Sequence, residues 1–543
     1  MLSNCKMEFL IRSDCPTTAH RKHWRFCVGS GHATLALRTD YTRQLKFIHD
    51  TLGIERVRFH GIFGDDMRTC TDFSEIIPFP VKERILEYNF NNCGVAYDNV
   101  LDAGMKPFVE LSFMPKNLMT RDPERVKEGG FFYKPLIVPP EDEEAWKNYI
   151  QAFVRFLIHR YGAEEVRSWY FEVWNEPDLP GAFWNGSRDE YFRLYEITAR
   201  AIKEVDPAIP VGGPSTSGSK WVVSFLRYCS EHQVPVDFVS THQYAGDPLG
   251  GVETQGDMDE AGGPGFDIEK LMASLAEGFS RALESMEEKT VLNSLRAAMA
   301  DKSEIEDIPN DGLIRNSAVV KQQAQGLPVY YTEWNENAGF SSYTNDTRKV
   351  AAYDVKTALD ISENVTGSSI WCFSDIFEEF HPFPEEFHGG FGILTQNGIP
   401  KPVYHGMKML ADAGDERLDL GADATLGEIG IAAFRKESEM EVLLFRQKMK
   451  NLDLPKEPAR VRIELPEKPR EVLLRTVDEE HGNPLRIWEE MGRPVSLNRE
   501  EVETIRLRSA VEDAPCPFGW ADGVLELNAE LGVNDLCFFR ILF

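Results

Sequence analysis

Two glutamates carry the chemical promise of this sequence. Glu176 follows an apolar, aromatic run in "SWYFEVWNEPDLPG" (residues 168–181), and Glu333 closes a second such run in "LPVYYTEWNENAG" (residues 327–339). Taken alone, Asn-Glu-Pro is an ordinary turn opener, its carboxylate gaining a little from a nearby helix start. Two strands far apart in the chain that each finish on a carboxylate ask for more than turns. A carboxyl pair facing across a sugar ring is what glycoside hydrolysis requires: one acid protonates the leaving oxygen while the other attacks, or directs water at, the anomeric carbon. In the retaining form the pair stands roughly 5 to 5.5 Å apart. The nucleophile's charge then lifts its partner's pKa, and loss of that charge in the ester intermediate lets the partner serve as a base.

Such a pair needs elements that bring strand ends together. Eight short β-rich runs occupy residues 26–31, 56–63, 106–113, 168–177, 209–215, 237–244, 328–335 and 368–374. Amphipathic segments alternate with them at 42–52, 92–103, 143–161, 189–205, 220–232, 317–325, 346–364 and 401–413. Strand then helix, repeated with buried rather than alternating strands, predicts an α/β fold, a closed (β/α)8 TIM barrel, ahead of a doubly wound open sheet. Barrels of this kind carry their chemistry at the C-terminal strand ends, which places Glu176 at the end of strand four and Glu333 at the end of strand seven. Residues 246–312 form an insertion between strand six and its helix, read as a lid or rim extension or as surface decoration. After residue 414 short alternating runs predict an all-β module, a β-sandwich, to which "MEFLIRS" near the start adds one strand. The expected division is an N-terminal arm (1–22) joining the sandwich, a catalytic barrel (23–413) and a β-sandwich accessory domain (414–543).

Composition narrows the partners. A net charge of -29 makes nucleic acid or an acidic membrane surface unattractive and suits a small neutral glycoside or oligosaccharide. No apolar run approaches the roughly 20 residues that cross a bilayer. The first residues show no apolar core behind a basic start, so the cytoplasm is the expected setting. Nine cysteines, odd in number and without ligand spacing, read as buried thiols rather than a disulfide framework or zinc site. No cofactor and no metal are expected; assembly into a homo-oligomer is left open.

The motifs "WNEP" and "TEWN", together with "RFHGIFGDDM", "STHQYA", "IWCFSDIFEE", "FHGGFGIL" and "GIPKPVYH", resemble glycoside hydrolase family 39, the β-xylosidase and α-L-iduronidase family. The resemblance runs from about Trp24 to Ala413. It implies Glu176 as general acid/base, Glu333 as nucleophile and Asn175 as a partner of the sugar 2-hydroxyl. It further implies hydroxyl binding by His60 and His242, Tyr244 beside the nucleophile, Trp371 as a platform under the sugar, and Glu379, ahead of Glu378, on the distal hydroxyls. Arg58 and Asp65 read as structural support. "GSGHAT" at Gly29 lacks the third glycine of a dinucleotide loop. A metal-dependent hydrolase built on His60, His242 and the carboxylates is the alternative enzyme class. A carbohydrate-binding barrel is the non-enzyme alternative, and it would not need both carboxylates. Between residues 371 and 400 lie Asp375, Glu378, Glu379, Glu385 and Glu386 but no Lys or Arg, which favours a neutral pentose over an iduronate.

Overall fold

The computed structural model describes residues 7–75, 77–79, 85–118, 127–245, 247, 308–339, 342–379, 383–450 and 454–543. Most of the expected insertion, residues 248–307, lies outside them. The barrel strands are β1 (Cys27–His32), β2 (Arg56–His60), β3 (Lys106–Leu111), β4 (Tyr170–Val173), β5 (Val211–Thr216), β6 (Phe238–Tyr244), β7 (Val329–Asn335) and β8 (Gly367–Ile370). They close in chain order, with every neighbouring pair parallel. The helices that follow them are α1 (Thr39–Leu52), α2 (Asn91–Asp102), α3 (Glu143–Tyr161), α4 (Arg188–Val205), α5 (Val222–His232), α6 (Gly312–Gln323), α7 (Arg348–Asp360) and α8 (Pro402–Asp412). Helix α6 begins five residues before the expected start at residue 317, inside the last residue assigned to the insertion.

Local chemistry sets the helix ends. Ser187 caps α4 through the Glu190 N–H while the Glu190 carboxylate accepts from the Ser187 N–H, a reciprocal capping box. Tyr191, Leu194, Tyr195, Thr198, Ala201 and Ile202, three and four residues apart, then bury one face of that helix. Asp142 caps α3 by accepting from the Glu144 and Ala145 N–H groups, without the reciprocal bond, and Pro402 opens α8 where its missing N–H is not needed.

Inside the barrel, alternation along each strand stacks the side chains. At the bottom, Cys27, Phe108, Phe238 and Tyr330 form an aromatic plug with Phe26 and Tyr170, and the Arg56 guanidinium lies 4.6 Å from the Phe26 ring centre. One step up, at every second residue, the interior turns polar: Arg58, Glu110, Glu172 and Thr332 are all buried. Strand β7 departs from the alternation. Thr241 pairs with Tyr331 and His242 with Glu333, leaving Thr332 as an extra residue, and the β8 side shows the same shift between Tyr331 and Trp334. The bulge lets consecutive residues Thr332 and Glu333 both reach the interior, which a regular strand forbids.

Apart from a two-stranded pairing of Cys70–Asp72 with Leu86–Tyr88, the remaining described strands make two further sheets. One orders Met7–Ile11, Glu457–Glu464, Val524–Leu531 and Gly519–Ala521; the other contains Thr17–Ala19, Glu416–Leu418, Ile429–Arg435, Glu439–Phe445, Leu536–Leu542 and Glu471–Val477. Alternate residues such as Phe9, Ile11, Val461, Ile463, Val442, Leu444, Phe539 and Ile541 share a core between them, as in a sandwich. The opposite face of the larger sheet, with Phe434, Leu443 and Phe538, packs into the barrel core. The start of the chain supplies two strands to these sheets, where one was expected. The module is also not all-β. Helices Pro484–Glu490 and Arg499–Arg508 place Ile487, Trp488 and Ile505 against Phe387 and Ile399, pinning the segment that follows β8.

Among the described residues no helix is long and apolar enough to cross a membrane, and the eight cysteines are free. Five of these are buried as expected, but Cys15, Cys70 and Cys516 are only half-buried.

Candidate active site

At the C-terminal mouth of the barrel the two glutamates meet. One carboxylate oxygen of Glu176 and one of Glu333 lie within 4.8 Å of each other and of a His242 ring nitrogen. They arrive differently. Glu333 sits within β7, carried inward by the bulge, whereas β4 ends at Val173 and Glu176 lies three residues beyond it rather than on its last residue. Trp174 at φ 73 and Glu176 at φ 39 occupy the left-handed region, which is costly for residues with a Cβ. The Glu176 N–H donates to the Ser215 carbonyl at 2.8 Å and holds the turn in place.

Each oxygen of Glu333 has a donor. Arg58 Nη1 donates to Oε1 at 2.8 Å and the Tyr244 hydroxyl donates to Oε2 at 2.8 Å. Arg58 does more than support the structure, the role assigned to it from sequence. Its Nε also donates to Glu172 at 2.6 Å, and its Nη2 to the Asn175 side-chain oxygen at 2.8 Å, with Glu110 2.9 Å away. Burial works against its charge, but Glu110, Glu172 and Glu333 outweigh that and raise its pKa. His60 likewise pays no net penalty for burial: the Glu110 carboxylate at 2.6 Å, with Glu379 and Glu333 behind it, overcomes desolvation and lifts the imidazole to about 9. It therefore carries a proton at neutral pH and faces Glu333 at 3.6 Å and Glu379 at 3.5 Å.

Glu176 is driven the opposite way. Burial first, then the nearby Asp178 and Asp247, push its pKa up to about 8, so it holds a proton at neutral pH. Glu333, the cause expected from sequence, is not among these leading ones. His242 Nδ1 lies 2.9 Å from Glu176 Oε1, and burial lowers the pKa of that histidine. A neutral acid beside a paired carboxylate is the asymmetry that acid and nucleophile roles demand.

The structure brings the other expected residues to the same place. Asn175 has its side-chain oxygen held by Arg58, while its buried Nδ2 has no hydrogen-bond partner among the described residues, a donor left for a ligand. Glu379 has a buried Oε1 without a hydrogen-bond partner among the described residues and a pKa raised to about 8 by burial. Glu378 instead turns outward to pair with Arg38. The Trp371 ring centre lies 4.8 Å from that of His60, in a cluster with Tyr244, Phe377 and Phe391. A Cβ on Gly29 would stand 2.3 Å from the Trp371 ring, so the glycine of "GSGHAT" makes room for this tryptophan. Asp65 lies apart, where its carboxylate accepts from the Lys116 N–H.

Sequence reasoning missed Glu110, Glu172 and Thr332 and understated Arg58. The signal was present as charged and polar residues at inward positions two apart on otherwise apolar strands, Arg58 before His60 and Glu110 after Phe108.

Glu176, His242 and Glu333 also offer three ligand-type atoms close enough to hold a metal. Each already serves a protein partner, however: a guanidinium and a phenol donate to Glu333, and His242 Nδ1 pairs with Glu176. A structural or catalytic metal site keeps such atoms for the ion. Dialysis against EDTA is expected to leave the rate unchanged; loss of rate restored by added Zn²⁺ or Mn²⁺ would establish the metal-dependent alternative.

Residues 7–268 and 287–525 match the model of a family described as "Glycosyl hydrolases family 39". The chain is 37% identical over 499 residues to a β-xylosidase of Caldicellulosiruptor saccharolyticus, covering 92% of this chain and 90% of that protein. It is 34% identical over 530 residues to a β-xylosidase of Geobacillus stearothermophilus, covering 96% and 93%. Among solved structures, a GH39 enzyme from Xanthomonas axonopodis pv. citri superposes with a TM-score of 0.76 at 27% identity, covering 100% of this chain and 98% of that one.

Proposed function

Because the chain belongs to glycosyl hydrolases family 39, we propose that it is a retaining exo-β-xylosidase in which Glu333 is the nucleophile and Glu176 the acid/base. The observation that carries the mechanism is the approach of the two carboxyl groups to within 4.8 Å. That spacing leaves no room for the water an inverting enzyme places between carboxyls roughly 6.5 to 9.5 Å apart.

In the first step Glu333 attacks the anomeric carbon, the glycosidic C–O bond breaks, and the proton on Glu176 passes to the departing oxygen. A glycosyl ester of inverted configuration results. In the second step Glu176 takes a proton from water as that water attacks the same carbon and Glu333 leaves, restoring the original configuration. Arg58 and the Tyr244 hydroxyl orient the nucleophile. The free Asn175 Nδ2 donates to the 2-hydroxyl, a bond that tightens as charge develops. His60 and Glu379 take the distal hydroxyls over the Trp371 ring.

Charge supports a neutral sugar. Arg58 is saturated by Glu110, Glu172, Glu333 and Asn175, and Arg38 is spent on Glu378. Lys401, the first cation after the acidic segment, is buried between Asp346 and Asp375 at 2.7 and 2.6 Å. Among the described residues, the cation facing Glu379 is the His60 imidazolium, whose charge Glu110 already offsets, so an iduronate carboxylate brought there would gain little and would meet another carboxyl. Xylose hydroxyls donate to Glu379 without that cost. The relatives named β-xylosidase support the same choice. The cytoplasmic setting belongs to this proposal as well. The test is kcat/KM on aryl β-xyloside, β-galactoside, α-L-arabinoside and α-L-iduronide. The β-xyloside is expected to lead by at least about tenfold, which is about 1.4 kcal/mol of transition-state binding. Preference for the iduronide would refute the charge argument, whereas preference for another neutral sugar would leave the mechanism and change the substrate.

A further inference from the structure

Behind Glu176 lies a chain of hydrogen bonds that the two-carboxylate mechanism does not use. Glu172 Oε2 accepts from Arg58 Nε at 2.6 Å, and Glu172 Oε1 accepts from the Thr332 hydroxyl at 2.8 Å. A carboxylate only accepts, so the single hydroxyl hydrogen of Thr332 is committed to Glu172. Thr332 Oγ1 then has only lone pairs to offer His242 Nε2, 3.1 Å away, and that nitrogen must be the donor. Ser215 Oγ accepts from Arg58 and keeps a hydrogen of its own, but at 3.5 Å from Nε2 it is the more distant and weaker partner. Burial keeps the imidazole neutral, with one proton in all. Its Nδ1 is therefore bare, and the 2.9 Å contact with Glu176 Oε1 is a hydrogen bond only when Glu176 supplies the hydrogen.

We propose that Thr332, backed by Glu172, is a positioning residue that locks His242 in its Nε2–H tautomer, so that the bare Nδ1 holds the proton on Glu176. The inference rests on Glu176 being the acid/base. It deepens that reading by naming what holds the proton on the acid before the first step and favours its return in the second. In the first step the Nδ1 lone pair orients the Glu176 O–H. Once that proton has gone to the leaving oxygen, the same lone pair faces a carboxylate and repels it, which favours return of a proton from water. His242 keeps its own proton throughout, and no proton travels along the chain. The opposite tautomer would donate from Nδ1 to the Glu176 carboxylate and stabilise the spent form.

Other groups act on the same proton. Glu176 faces Asp178 from its own loop, Asp247, His242 and Tyr244 from the β6 side, Arg58 and His60 from β2, Glu333 from β7 and Glu379 from beyond β8. His242 faces Glu333, Arg58, Glu172 and His60 as well as Glu176. None of these except Glu172 reaches the Nε2 side through a hydroxyl whose donor direction is already taken.

Thr332→Val keeps the shape and removes the hydroxyl, while Thr332→Ser keeps the hydroxyl. In the Val variant the basic limb of the kcat/KM profile is expected to move down by about one pH unit, since the Nδ1–H tautomer becomes available to the charged acid. Turnover of poor leaving groups should fall about tenfold, with activated aryl glycosides less affected. Thr332→Ser should restore the original profile. On the wild-type enzyme, a long-range ¹H–¹⁵N spectrum with labelled histidine, assigned by the signals lost in His242→Asn, should show the neutral Nε2–H form. That measurement stands even if Thr332→Val does not fold. A wild-type His242 protonated on Nδ1, or a folded Val variant with an unmoved basic limb, overturns the relay and leaves the acid/base role intact. If Glu176→Ala shows no dependence on leaving group, the acid/base reading falls and the relay with it.

Discussion

Glu333→Ala is expected to lose turnover of every glycoside, activated or not, by on the order of 10⁴-fold or more, the scale of removing a catalytic nucleophile. No leaving group can compensate, because the missing event is formation of the glycosyl ester itself. The methyl side chain leaves space on the face from which the carboxylate attacked, so azide should enter there and return activity as a glycosyl azide of inverted configuration. The substitution also leaves Arg58 Nη1 and the Tyr244 hydroxyl without their partner. A thermal melt of the variant separates lost chemistry from lost folding. A folded Glu333→Ala enzyme within about tenfold of wild type would end the assignment.

Glu176→Ala should behave differently with each substrate. For poor leaving groups that need the proton, kcat/KM is expected to fall about 10² to 10⁴-fold, the usual worth of a positioned general acid. For activated aryl glycosides the first step hardly needs protonation, so most of the loss should move to the second step, and the ester should accumulate in a burst. Azide attacks that ester from the side Glu176 vacated, and the product should have retained configuration. The pH profile supplies an independent check. The acid must hold its proton to act, and burial with Asp178 and Asp247 raises its pKa to about 8. Wild-type kcat/KM should therefore be sustained below that value and fall as pH rises through about 8; in Glu176→Ala this basic limb should vanish. Equal losses on activated and unactivated substrates would show that some other group protonates the leaving oxygen.

How much of this was legible beforehand differs from element to element. The barrel was, because eight apolar runs alternate with helical periodicity and each property depends on residues next to one another in the chain. Placement of Glu176 and Glu333 at one mouth followed from that topology, since parallel strands share their C-terminal end. Motif resemblance added His60, Asn175, His242, Tyr244, Trp371 and Glu379, all of which the structure gathers around the pair. The two helices of the accessory module escaped because their short runs, Pro484–Glu490 and Arg499–Arg508, bury only Pro484, Ile487, Trp488 and Ile505.

What the chain determined by itself is thus the architecture and the residue types delivered to one rim. Tertiary structure decided how those groups face each other. The β7 bulge that turns Glu333 inward beside Thr332 exists only as a mismatch of register with β6 and β8, which no residue of β7 encodes alone. The left-handed backbone of Glu176 is held by a carbonyl on Ser215. Arg58 and Glu333 meet across 275 positions of sequence, and Glu378 parts from Glu379 because only the first finds Arg38. Proton placement depends on such contacts most of all. Burial and fields within a few ångströms set whether Glu176 keeps its proton, and those fields come from residues that the fold, not the order of the chain, makes neighbours.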